Sequence, residues 1–131
     1  MKEILLSYIW VLFIMVSAIC NAIMDTCKDH YSVSIFTKLN PQFWNTEISW
    51  RNKYNKFLVS QGRNKVPTFL TDSWHLFKST MIVSLAFALM FASMYYKPFY
   101  TYFESILTFG IVWNGTFNLF YNKLLIKKIK K

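Results

Sequence analysis

A chain of 131 residues that is 54% hydrophobic and 20% aromatic, with only 16% charged residues, has too little polar material to cover a soluble domain of its size. The bilayer is its expected solvent. A net charge of +9 would suit nucleic acid, but these cations flank apolar runs, where they meet anionic headgroups, and no nucleic-acid partner is expected.

The first apolar run, "ILLSYIWVLFIMVSAICNAIM", covers about residues 4–24, near the 20 residues or so that a bilayer core demands. Val16-Ser17-Ala18 would also suit a signal peptidase. Charge argues for retention. With three retained spans, 13 of the 15 Lys and Arg fall on the side of the central segment and tail, and only Lys2 and Lys97 on the other. Cytoplasmic segments carry the basic residues, so an inner-membrane protein is expected, N-terminus outside and C-terminus inside. Cys20 and Cys27 are seven positions apart, about 10 Å along one helix, which is beyond disulfide reach.

The interfacial segment, about 37–73, is the least regular. Asn40-Pro41 marks a turn or helix start, and "SQGRNKVP" a loop. Between them "QFWNTEISWRNKYNKF" interleaves aromatic rings with cations, the mixture selected at headgroup depth. Arg51 and Lys53 here, Lys78 at the mouth of the second span, and Lys123, Lys127 and Lys128 in the tail are the expected headgroup-binding residues. The second and third spans, about 79–96 and 98–122, are joined by "YYKPFY" and must form an antiparallel hairpin, with Pro98 in the first turn of the third helix. The fold class is thus all-α: a single membrane domain over 1–131, with three transmembrane helices.

At 100° per residue the polar and small residues of each span form a stripe. The first stripe is Ser7, Ile14, Ala18, Asn21, Asp25, Asp29 and Ser32, if the helix runs past the membrane edge. The second is Asp72, His75, Ser79, Ala86 and Ser93; the third is Thr101, Glu104, Thr108, Ile111, Gly115, Asn118 and Asn122. Because hydrocarbon cannot solvate such groups, the stripes are expected to face one another or a partner. Glu104, two turns inside the third span, is an intramembrane carboxylate and a functional candidate by default.

At the cytoplasmic ends lie Asp25, Asp29, Asp72 and His75, with Asn118 and Asn122 in support. If they converge, they could hold a divalent metal ion, which the imidazole would shift toward manganese, iron or zinc, and so activate water against a lipid headgroup. The competing role for Asp72 is helix capping. His30 can join Asp25 only if the helix breaks near Lys28.

The run "DTCKDHYSVSIFTKLNPQFWNTEISWRNKY", followed by "TDSWHLFK", resembles a family of small bacterial integral-membrane proteins of unassigned function. The matching positions are Asp25, His30-Tyr31, Phe43-Trp44-Asn45, Ser49-Trp50, Asn52-Lys53-Tyr54, and Asp72, Trp74, His75, Phe77 and Lys78. Thr46 departs from it, standing where the family has a proline. The resemblance implies a membrane protein and transfers no activity.

A non-enzymatic membrane or assembly component, associating with itself or with another membrane protein, is the favoured expectation, since no strong catalytic motif is present. A metal-dependent headgroup hydrolase or transferase, and an oligomeric pore or proton-coupled carrier lined by the third stripe, are the alternatives. No catalytic residue is assigned.

Overall fold

Helix α1, Ile9–Asp29, runs through the centre of the molecule. The computed structural model describes residues 8–54, 67–95 and 100–127. After α1 come 3-10 turns at Tyr31–Val33 and Ile35–Lys38, the one-turn helices α2 (Pro41–Trp44) and α3 (Thr46–Ser49), and a 3-10 turn at Trp50–Lys53. Another 3-10 turn, Thr68–Leu70, leads into the long helices α4 (Ser73–Tyr95) and α5 (Tyr100–Leu119), and a π-helical turn, Phe120–Leu124, follows. Among the described residues the single extended pairing is an antiparallel bridge between Ser34 and Ile126.

Two described helices, Ile9–Asp29 and Ser73–Met94, are long and apolar enough to cross a membrane. In α5 the apolar residues are interrupted by Glu104, Asn114 and Asn118.

Both α4 and α5 pack on α1, α4 along more of its length, and each touches α1 far more than it touches the other. Small residues explain how α1 serves two neighbours. Ser17, Ala18 and Ala22 are wholly buried and let helix backbones come close. The Ser17 hydroxyl lies 2.9 Å from the Phe13 carbonyl, one turn back, and 3.2 Å from that of Met81 on α4. Nearer the other end of α1, Phe13 stacks on Phe87 and Phe91 of α4 at centroid distances of 5.3 and 5.6 Å. Because α4 and α5 lean on α1 rather than on each other, an apolar cleft of about 590 Å³ lies among the three, lined by Trp10, Ile14, Ala88, Leu89, Ile106 and Phe109.

The basic end is closed by a folded cap. Each short helix starts on an Asn: Asn40 Oδ1 accepts the Gln42 N–H at 2.9 Å and Asn45 Oδ1 the Glu47 N–H at 3.0 Å. Pro41 occupies the first helical position after Asn40, where a missing N–H costs nothing. Trp44 then stacks on Phe36 (4.6 Å, 9° between planes) and reaches Phe77 of α4. The tail returns to this cap, the Ile35 N–H donating to the Leu125 carbonyl and the Lys127 N–H to that of Val33, both at 2.9 Å. Leu125, Phe36, Cys27 and Ala22 form a buried cluster, with Trp44 and Tyr121 packed against it. Trp44 of the 37–73 segment thus packs against a core built from α1, the 3-10 turn at Ile35–Lys38 and the tail.

The stripes of α1 and α4 need correcting. Helix α1 ends at Asp29, so Ser32 falls in the following 3-10 turn rather than on the helix face. On α4 the buried face carries Ser84 and Ala88, whereas Ala86 and Ser93 of the expected stripe are exposed and Ser79 is half-buried. The reason is local: the hydroxyl of Ser93 donates to the Met90 carbonyl on its own helix at 2.8 Å and needs no neighbour. On α5, Glu104, Ile111, Gly115 and Asn118 all point outward, as does Asn122 in the π-helical turn after it, while Thr108 is half-buried and Thr116 is buried. Ser7, residues 96–99 with Lys97 and Pro98, residues 55–66, Lys128 and the side chains of Lys53 and Thr101 lie outside the described residues.

Candidate functional site

At the start of α4 one carboxylate makes two different contacts. Asp72 Oδ1 accepts the backbone N–H of His75 at 2.9 Å, the N-cap arrangement, and its Oδ2 lies 2.7 Å from His75 Nδ1. The Asp72 carbonyl then accepts the Leu76 N–H, opening the helix ladder. Asp72 is buried, whereas the His75 side chain is 28% exposed. A neutral imidazole in this position keeps its proton on Nδ1 against the carboxylate and leaves Nε2 as an acceptor. The Thr71 hydroxyl donates to the Thr68 carbonyl at 2.7 Å and also lies 3.3 Å from Asp72 Oδ2.

The pair is held from behind by Asn52, a wholly buried residue of the cap. Its Nδ2 donates to the Gln42 carbonyl at 2.6 Å and to the Thr71 carbonyl at 3.0 Å, so one amide ties α2 to the strand of chain entering α4. Thr46 does the same for α1: its hydroxyl donates to the Cys27 carbonyl at 3.1 Å, one of the carbonyls that the last helical turn leaves free. In front of the pair is a small cavity of about 160 Å³, bordered by Lys28, Ser49, Trp50 and Trp74 as well as Thr46. The Ser49 Oγ is buried there without a partner among the described residues. Lys78 sits over the Trp74 ring at 4.5 Å and Arg51 over Trp50 at 5.6 Å, aromatic-cation pairs of the kind found at headgroup depth.

The other two carboxylates go elsewhere. Asp25 receives the Asn21 amide N–H at 3.4 Å, and both Asp25 and Asp29 lie near enough to act electrostatically on Tyr121, in the π-helical turn after α5. His30 follows the last residue of α1 and tilts its ring against Tyr121 at 5.5 Å, so a helix ending at Asp29 sends it toward the Asp25 and Asp29 side. The four residues Asp25, Asp29, Asp72 and His75 therefore divide into an α4 pair and an α5 side. Among the described residues no three His, Cys, Asp or Glu gather as a metal site would need.

Asn118 and Asn122 do not support that pair either. Asn118 Nδ2 donates to the Asn114 carbonyl at 2.8 Å and Asn122 Nδ2 to Asn118 Oδ1 at 3.0 Å, along the exposed face of their own helix. Lys123 is exposed beside them, and the Lys127 amine meets the Thr37 hydroxyl.

Sequence reasoning placed Asp72 and His75 together; it named Asn52, Thr46 and Ser49 only as positions in the resemblance and gave none of them a structural role. Their signal is faint: an Asn and two hydroxyls in a run whose aromatic rings and cations dominate the pattern. Comparison of the chain with protein-family models, with curated proteins and with solved structures finds no match in any of the three.

Proposed function

We propose that this is a three-span protein of the inner membrane, N-terminus outside, whose helices carry a folded cap on the cytoplasmic surface, and that it works as a non-enzymatic membrane or assembly component. The observation that carries the reading is the division of surface. Along α4 and α5 the large apolar side chains point outward, Ile82, Leu89, Met94, Phe103, Ile106 and Ile111 each more than half exposed, while the buried polar network is collected at the basic end. Such a surface suits hydrocarbon around the helices and water at one end. Arg51, Lys78, Lys123 and Lys127 at that end suit anionic headgroups.

Alkaline extraction of membranes followed by one-sided thiol labelling tests this. The protein should stay in the membrane, and Glu47→Cys in the cap should react only after the inner membrane is opened. Release by alkali, or labelling of intact cells at that position, would remove the proposal.

A second reading, chemistry on a lipid headgroup, rests on the Asp72–His75 pair and the cavity before it. Its metal-dependent form would need ligands that Asp25 and Asp29 do not bring to that pair, so the capping role accounts for more of what Asp72 does.

A further inference from the structure

Along α5 and into the π-helical turn that follows it, Glu104, Thr108, Ile111, Gly115, Asn118 and Asn122 recur at alternating steps of four and three. This is the spacing of a heptad seam, which keeps facing one partner helix as two helices wind around each other. Here the seam faces away from α1, with five of its six residues exposed and Thr116, off the seam, buried instead. Each seam amide uses one N–H on its own helix, Asn118 to Asn114 and Asn122 to Asn118, and keeps a second N–H to give. A side chain added at Gly115 would meet nothing within 4 Å, so another backbone can approach there without displacing any group of this chain.

We propose that α5 pairs, parallel and in register, with α5 of a second copy of this chain along this seam. The proposal rests on the reading that α5 crosses the membrane, because only there do exposed Asn118 and Glu104 lack water and require a partner. Self-pairing follows from the chemistry of the seam. An amide is both donor and acceptor, so about a two-fold axis each Asn meets its own copy and satisfies it. Copies inserted with one topology present α5 in the same direction, and a polar residue on a heptad seam fixes register by meeting itself.

The test uses the full chain in phospholipid vesicles, with donor- and acceptor-labelled copies and energy transfer followed as lipid dilutes the protein. Transfer should appear, unlabelled protein should compete it away, and Asn118→Leu with Asn122→Leu should weaken association about tenfold. Phe103→Ala, exposed but off the seam, should leave it unchanged. In the same vesicles Gly115→Cys should cross-link to a dimer on oxidation and Phe103→Cys should not; the native Cys20 and Cys27 are buried and do not compete. Monomers at all densities, association indifferent to the Asn pair, or a stoichiometry above two would overturn the pairing. Alkaline extraction separates the two failures: a retained but monomeric protein sinks the pairing alone, and a released one sinks the membrane reading with it.

Discussion

The Asp72 carboxylate receives the His75 N–H through one oxygen and meets the imidazole through the other, so a helix start and a side-chain orientation depend on the same group. Asp72→Ala should therefore lower stability by about 0.5–2 kcal/mol, the range for a lost N-cap, while Asp72→Asn, which keeps an acceptor, should cost less. Thermal unfolding in detergent, read by circular dichroism, distinguishes the two; equal losses would mean that the cap bond contributes little. Asn52 has the opposite visibility, with no local capping signal to announce its role and two carbonyls depending on its amide. Replacement by Leu leaves both carbonyls short of a donor and should destabilise the cap by roughly 2–3 kcal/mol. Limited proteolysis should then cut between Asn40 and Thr71 while the long helices remain protected; an unchanged cleavage pattern would count against the tie.

At the scale of elements, the sequence announces where helices begin better than which way they face. Asn40-Pro41 and Asp72 were legible because capping is local, decided within three or four residues. The inward face of α4 was not, since a Ser or Thr can return its hydroxyl to its own helix, as Ser93 and Thr80 do, and then serves equally well outside. For the same reason Asp25 and Asp72 share an end of the bundle without sharing a site: periodicity gives depth, while azimuth depends on how α1 divides its surface between α4 and α5. Two alanines make the distinction measurable. Ala18→Leu, wholly buried where α1 is most crowded, should cost about 1–3 kcal/mol through overpacking. Ala86→Leu, on the exposed side of α4, should change stability by less than about 0.5 kcal/mol. Midpoints of unfolding in mixed micelles of increasing denaturing-detergent fraction compare them, and a reversed order would restore the face first expected.

For the whole molecule, the arrangement is a central helix with two apolar flanks and a polar closure at one end. The closure answers a physical need, because α1 ends and α4 begins there with backbone groups that require partners, and Thr46, Asp72 and Asn52 supply them. At the far end no comparable network is present among the described residues, and the cleft among α1, α4 and α5 is lined mostly by apolar side chains. The central claim, that the long helices lie in hydrocarbon while the cap meets water, is tested most directly by spin labels at Leu89, Ile106 and Glu47 in vesicles, read with oxygen and with a water-soluble nickel relaxant. The account predicts that oxygen dominates at Leu89 and Ile106 and nickel at Glu47. Strong nickel relaxation at Leu89 and Ile106 would contradict it.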